Sequence, residues 1–176
     1  MGTSCIKKAV LISLVILFTL PVLAQKEIFT REQAIGRKNN VSLTLGGNGL
    51  FLSLSYDRII AVKPDYFMDA NIGIGIFPGI DGVNISQQFI FNKGKRSSFF
   101  MFGLGGTYEW HKTDESGFTE SVTSYNLSPI VGWKKIFKSH LLFSIYASPM
   151  IHVAGVNLYM GYAVIPYAGM SFGYSF

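Results

Sequence analysis

Charged residues are scarce in this chain. Asp, Glu, Lys and Arg make up 14% of its 176 residues, whereas about a quarter of the residues in a soluble domain are charged. Because 49% of the residues are apolar, few charged side chains remain to cover a surface that faces water. The composition therefore favours a membrane protein, and the length suits a single domain.

Long apolar runs are also scarce, and the only one lies near the amino terminus. Lys7 and Lys8 precede an apolar stretch at 9–20, and the sequence VLA precedes Gln25. This arrangement is typical of a secretory signal peptide, and the run is short for a transmembrane helix. We predict a signal peptide at 1–24, with an uncleaved anchor helix as the alternative. A mature membrane protein would then have to cross the bilayer as strands.

Cysteine is nearly absent, which excludes several kinds of site. The only cysteine, Cys5, lies in the leader, so the exported chain would form no disulfide and would depend on its fold for stability. Three scattered histidines without cysteine do not suggest a metal site, and we expect no cofactor.

The formal charge of +5 falls to +3 when Lys7 and Lys8 leave with the leader. No basic stripe remains, which argues against nucleic acid as a partner.

Most of the remaining chain alternates large apolar residues with small ones. In VSLTL, for example, Val41, Leu43 and Leu45 lie on one face and Ser42 and Thr44 on the other. A period of two is typical of β-strands, and we find no helical period beyond the leader. The pattern predicts eight strands, at 40–47, 50–60, 66–77, 83–91, 98–110, 121–134, 140–152 and 162–176.

The two faces of these strands indicate how the sheet is arranged. The second face consists of Ser, Gly, Asn and Thr, which suit the narrow interior of an eight-stranded barrel better than a water-facing exterior. We therefore predict an all-β fold, an eight-stranded antiparallel up-and-down transmembrane β-barrel at 40–176, preceded by a short periplasmic segment at 25–39. A soluble barrel is the alternative. Pro129 falls within a strand and should mark a bulge or a weak rung.

Aromatic and charged residues suggest an orientation. Outer-membrane barrels carry aromatic girdles and have short periplasmic turns. If the carboxyl terminus lies in the periplasm, the loops on the outer side are those at 78–82, 111–121 and 153–161. The predicted girdle residues are Tyr56, Trp133, Tyr174 and Phe176 at one rim and Tyr108, Trp110 and Tyr125 at the other. Basic residues cluster on the inner side (Lys93, Lys95, Arg96, Lys135, Lys138) and acidic ones on the outer side (Asp81, Asp114, Glu115, Glu120).

Two stretches carry a resemblance to a known family. The final strand, with Phe172, Tyr174 and Phe176, resembles the sorting signal of bacterial outer-membrane barrels, and LGGNGLFLSLSYDR resembles the first hairpin of small outer-membrane β-barrel proteins of the Bacteroidota. The resemblance covers the chain from about Asn40 onward. It implies a bacterial outer-membrane location with both termini in the periplasm, and Phe172, Tyr174 and Phe176 as the membrane-insertion signal. The implied partners are the barrel-insertion machinery, periplasmic chaperones, outer-membrane lipids and lipopolysaccharide, and we expect a monomer.

The resemblance implies no specific activity, because the class includes structural barrels, adhesins, pores and lipid-modifying enzymes. We predict a structural or surface-interaction protein without catalysis. A lipid A-modifying enzyme is one alternative, since Glu109 and His111, and likewise Ser148 and His152, share a face. The alternation places these four side chains toward the lumen or rim, away from acyl chains.

A small gated pore is the other alternative. Asp57, Asp69 and Lys134 are predicted to face the lumen near the periplasmic end. A buried carboxylate needs a partner, so we expect these three residues to form a polar network inside the barrel. We expect the network to plug the lumen, since eight strands leave little room for a channel.

Overall fold

A computed structural model describes residues 30–76, 82–115, 118–157 and 161–176. The predicted signal peptide, residues 25–29 and most of the predicted outer loop at 78–82 lie outside these ranges. The described residues form a helix α1 (Arg31–Ile35), a 3-10 helix (Gly47–Gly49) and ten strands. The strands are β1 Asn39–Gly46, β2 Leu52–Val62, β3 Tyr66–Ile76, β4 Gly82–Lys95, β5 Ser98–Glu115, β6 Phe118–Ile136, β7 Leu141–Ala147, β8 Met150–Gly155, β9 Val164–Ile165 and β10 Ala168–Ser175.

The strands close into a barrel. Each is antiparallel to its neighbours, and β10 pairs with β1 from Asn40–Ser175 to Gly46–Gly169, which joins the two ends of the sheet. β7 with β8 forms the seventh barrel strand, and β9 with β10 forms the eighth. The prediction of an all-β, eight-stranded, antiparallel up-and-down barrel is confirmed. We call the end that holds α1 and Phe176 the terminal end, and the opposite one the distal end.

The predicted assignment of faces is also confirmed. Ser42, Thr44 and Ser55 point inward and are buried, whereas Leu43 and Leu54 point outward and are about half exposed. Because successive side chains of a strand point to opposite faces, the alternation read from the sequence carries directly into the barrel wall.

Proline interrupts the wall at one place, as predicted for Pro129. β6 pairs with β7 as far as Val131–Ala147 and with β8 from Leu127–Ile151. Between these two pairs, the backbone pairing of β6 with β7 and β8 is interrupted. Proline has no N–H to donate to a ladder. We call this break, formed by residues 128–130, 148–149 and 166–167, the proline seam.

Two predicted outer loops are partly wrong. The segment 111–121 is largely a paired hairpin, because β5 and β6 stay in register as far as Glu115–Phe118. Residues 153–155 likewise belong to β8 rather than to a loop. Both segments were assigned to loops for their polar or glycine-containing sequence, but backbone pairing continues beyond the point where the apolar alternation ends.

A short helix follows the predicted leader, although the sequence shows no helical period there. Thr30 caps α1 by accepting from the Gln33 backbone N–H, and the Gln33 side chain accepts from the Thr30 N–H. This capping box starts a helix too short to show a 3.6-residue period. Its Ala34 and Ile35 are buried among apolar side chains that fill the terminal end of the lumen: Ile59, Phe67, Phe99, Ile136 and Leu142. In the described ranges, no helix is long and apolar enough to cross a membrane.

The β1–β2 connection folds into the barrel, which corrects the prediction for Leu50. Leu50 is the first residue of the predicted strand at 50–60, whose apolar alternation would place it on the outward face with Leu52 and Leu54; in the structure it is 1% exposed and lies inside the barrel. Gly46 and Gly47 both have positive φ, 72° and 63°, a conformation that favours glycine. They turn the chain inward, so that the 3-10 helix lies within the lumen.

Candidate functional site in the barrel interior

The interior is filled in layers from the terminal end to the distal end. The apolar cluster around α1 comes first, followed by the charged group of Asp57, Asp69 and Lys134. A second apolar cluster lies beside this group and consists of Ile90, Met101, Ile130 and Tyr146; its Ile90, Met101 and Tyr146 line the same small cavity as Asp57 and Lys134. The inward 3-10 helix and a polar group around Glu109 occupy the distal half. The described interior is therefore packed along its length.

The charged layer is held by an ion pair that crosses the lumen. Lys134 on β6 donates to Asp69 on β3, and these strands are not neighbours in the sheet. Both side chains are almost completely buried, at 3% and 1% exposure. Asp69 also accepts from the Asn92 amide at 3.0 Å. A buried charge requires such pairing because it has lost its hydration.

Asp57 completes this layer. It accepts from the Asn71 amide at 2.7 Å and lies within electrostatic range of both Lys134 and Asp69. The structure thus brings the three predicted lumen residues into one group, with two carboxyl groups for one ammonium. The cavity beside them has a volume of about 20 Å³, which is room for roughly one water molecule. This layer closes the lumen.

The inward 3-10 helix is anchored by polar contacts. The Thr107 hydroxyl donates to the Asn48 carbonyl at 2.8 Å, and the Ser148 hydroxyl donates to the Asn48 side-chain oxygen. The Tyr167 hydroxyl donates to the Leu50 carbonyl at 2.9 Å. Backbone turned into a barrel loses its water contacts, so these donors supply the partners that buried carbonyl groups need.

The four residues considered for catalysis fall into two places. Glu109 and His111 lie together, with Oε2 and Nε2 3.5 Å apart, and both are buried. Ser148 is engaged with Asn48, whereas His152 lies 3.4 Å from the Ser124 hydroxyl. The structure therefore unites the Glu109–His111 pair and gives Ser148 and His152 different partners.

Asn126 links these distal groups. Its amide donates to Glu109 at 2.7 Å, and its oxygen lies 3.4 Å from His152 Nδ1. The resulting chain of Ser124, His152, Asn126 and Glu109 contains the chemical types of a nucleophile and a base. However, Ser124 and Asn126 are each 1% exposed, and a hydrolytic site must admit its substrate to the nucleophile. The geometry suits a structural network that fixes β5 against β6 and β8.

Sequence reasoning missed Asn48 and Asn92 as interior partners. Asn92 lies one residue beyond the predicted strand at 83–91, and continuing the alternation of that strand by one residue would have placed it inward. Asn48 had no such signal, since it lies in a glycine-rich turn whose inward direction depends on φ values. Among the described residues, no group of three or more His, Cys, Asp or Glu side chains could hold a metal ion.

Comparison of the chain with protein-family models, with curated proteins and with solved structures finds no match. The fold and the packing of its interior are therefore the basis for assigning a function.

Proposed function

We propose that this chain is an integral outer-membrane β-barrel of structural or surface-interaction type, with both termini in the periplasm. The observation that carries the proposal is the outward face of the barrel. Large apolar side chains on the described strands are exposed there, among them Ile72 at 58% and Leu54 at 55%. Soluble monomers rarely expose contiguous apolar patches beyond a few hundred Å², whereas a bilayer requires such a surface.

The interior supports the same proposal. A soluble barrel would bury its large apolar residues, but here Ser, Thr, Asn and ion-paired side chains fill much of the lumen. A closed barrel also satisfies its backbone groups internally, which is the condition for crossing hydrocarbon as strands. The outward-facing Gln87 donates to the Tyr125 hydroxyl at 3.3 Å, so the polar group that interrupts the apolar face has a partner.

The proposed orientation rests on the two ends of the barrel. The terminal end has short turns at 63–65, 96–97 and 137–140, whereas the distal end carries the long β5–β6 hairpin. Outer-membrane barrels have short periplasmic turns and longer outer loops. The exposed Trp133 and Tyr174 toward the terminal end, and Trp110 toward the distal end, would contribute to the aromatic girdles.

The packed interior favours a structural role over a pore. The ion pair of Lys134 and Asp69, the α1 cluster and the inward 3-10 helix each occupy part of the lumen. A salt-dependent conductance in planar bilayers that Lys134→Met abolishes would instead support the gated pore. Altered lipid A in cells that carry the gene would support the enzyme.

The first experiment is a heat-modifiability gel of the mature chain refolded into phospholipid vesicles. We expect the unheated protein to migrate differently from the boiled protein, because a closed barrel resists unfolding by detergent. Absence of a shift, together with solubility in plain buffer, would mean that the protein is a soluble β-barrel.

A pair of lysine variants tests the lipid-facing surface directly. Ile72 lies near the middle of β3, and Leu141 lies at the terminal end of β7, where its register partner is the outward-facing Tyr174; both residues are exposed. In a bilayer, Ile72→Lys should cost about 2–4 kcal/mol and Leu141→Lys about 0–1 kcal/mol. In water, both substitutions replace an exposed apolar residue and should be equally harmless. Equal stability of the two variants in vesicles would therefore contradict the proposal.

A further inference from the structure

The apolar outward face has a shallow depression that is open to the surroundings. This groove crosses β5, β6, β7 and β10 and has an open volume of about 480 Å³. Phe100, Trp133 and Ile145 form one side of it, and Ala147 and Ala168 lie where larger side chains stand elsewhere on the wall. We call it the seam groove, because it borders the proline seam.

The strand register explains why the groove forms there. Phe91, Phe102, Val131, Ala147 and Ala168 are consecutive register partners across five strands. The side chains in this outward row become smaller from phenylalanine to alanine. Beyond the last of them, pairing between β1 and β10 has ended, since their final pair is Gly46–Gly169. The groove therefore runs across the wall and opens toward the break.

Basic side chains lie at the terminal edge of the groove. Lys93 is the register partner of Phe100, so it stands in the same outward row as a groove residue. Lys135 is two residues from Trp133 on the same face of β6, about 7 Å along the strand. Its Nζ lies 5.3 Å from the Phe137 ring centroid, which places the ammonium at the end of the barrel. An apolar groove thus leads to a positively charged edge.

We propose that the seam groove binds one anionic glycerophospholipid, with an acyl chain over Ala147 and Ala168 and the phosphate at Lys135 and Lys93. The inference rests on the proposed function, because the groove must face the hydrocarbon layer. A groove that crosses four strands about 4.8 Å apart is about 14 Å long, which fits an extended part of an acyl chain. Lysine binds phosphate as a point charge.

The same charges disfavour a second copy of the chain as the occupant. A two-fold dimer brings the same patch of both subunits together. Such an interface over the seam groove would bring the lysines at its edge toward those of the other subunit, at a cost in repulsion. A lipid phosphate instead neutralises them.

Trp133 provides the readout, since it lines the groove and the chain has only two tryptophans. The Trp110→Phe variant leaves Trp133 as the sole tryptophan. It is refolded into phosphatidylcholine vesicles that contain a small fraction of chain-brominated phosphatidylglycerol or, in parallel, chain-brominated phosphatidylcholine. We expect the anionic lipid to quench Trp133 fluorescence more strongly at the same mole fraction.

Two substitutions should remove this preference, and each has a matched control. Ala168→Leu fills the groove, and Lys135→Gln should lower the apparent affinity for phosphatidylglycerol about fivefold, the effect of roughly one lysine near a membrane surface. Ala70→Leu enlarges an outward-facing alanine on β3, and Lys63→Gln removes a charge at the same end on another side of the barrel. Both controls should retain the preference.

Three results would overturn the inference. Equal quenching by the two lipids in the Trp110→Phe protein would exclude a lipid-selective site, and an unchanged preference in Ala168→Leu would exclude the groove. A cross-linked dimer with Trp133 shielded from both lipids would assign the groove to a second copy. A protein that shows no heat shift and no quenching by either lipid has not inserted, which would refute the proposed function itself.

Discussion

Replacement of Lys134 by methionine tests the charged layer of the interior. Methionine has a similar length and no charge, so the substitution leaves Asp69 and Asp57 buried without the ammonium that both face. The side chain of Lys134 is 3% exposed and that of Asp69 1%, so water cannot readily replace the lost partner. The effect should therefore be that of a broken buried ion pair.

The expected loss is about 3–5 kcal/mol in the free energy of unfolding. Since folded proteins are stable by about 5–15 kcal/mol, the variant would lose a large part of its stability. Lys95→Met is the matched control, because Lys95 is exposed at the terminal end of β4, and it should change stability by less than about 0.5 kcal/mol. The double variant Lys134→Met/Asp69→Leu should regain part of the loss, since an apolar pair replaces the ion pair.

The assay is urea unfolding of the protein in phospholipid vesicles, followed by tryptophan fluorescence and by the heat-shifted band on a gel. Linear extrapolation gives the free energy of unfolding for each variant. If Lys134→Met proves as stable as Lys95→Met, the ion pair does not hold the interior together and the reasoning is refuted.

Three further predictions concern other parts of the interior and the closure of the barrel. Ala34→Asp places an unpaired carboxyl group in the terminal apolar cluster and should lower the free energy of unfolding by at least about 3 kcal/mol in the same urea assay. Glu32→Gln, on the exposed side of α1, should leave the free energy of unfolding unchanged. Equal effects of the two substitutions would mean that α1 does not plug the lumen. Asn48→Ala leaves the buried Ser148 hydroxyl without its acceptor and should lower the free energy of unfolding by about 1–3 kcal/mol. An unchanged free energy of unfolding would place the 3-10 helix outside the cooperative core. Deletion of residues 172–176 removes most of the pairing between β10 and β1, so the unheated protein should migrate like the boiled protein on a gel. A mobility shift that persists would contradict closure of the barrel through β10 and β1.

The sidedness of each strand could be read from the sequence because one physical rule governs it. Successive side chains of a strand alternate between faces, so the inward placement of Asp57, Asp69 and Lys134 followed without knowledge of the partners. The particular pairing of Lys134 with Asp69 could not be read, since it joins strands that are not neighbours. It depends on the register of every strand between them.

The segments that were misjudged depend on local conformation or on tertiary packing. Leu50 continues the apolar alternation, but positive φ values at the two preceding turn glycines direct it inward. The helix α1 is only five residues long, and its capping box at Thr30 and Gln33 was the available signal. Residues 111–115 and 118–121 are mostly polar, yet they remain paired, because a hairpin can extend beyond the apolar belt as long as its backbone groups bond to each other.

The most direct test of the account is the environment of the outward face of β2. The chain has a single cysteine, Cys5, so a chain without residues 1–24 accepts single cysteines for spin labels at positions 52–55, which precede the girdle residue Tyr56 on β2. In vesicles, labels at even positions should be accessible to oxygen and shielded from a water-soluble nickel complex, and labels at odd positions should be shielded from both. Even positions that are readily accessible to the nickel complex would show that this face meets water, and the account of a membrane barrel would be wrong.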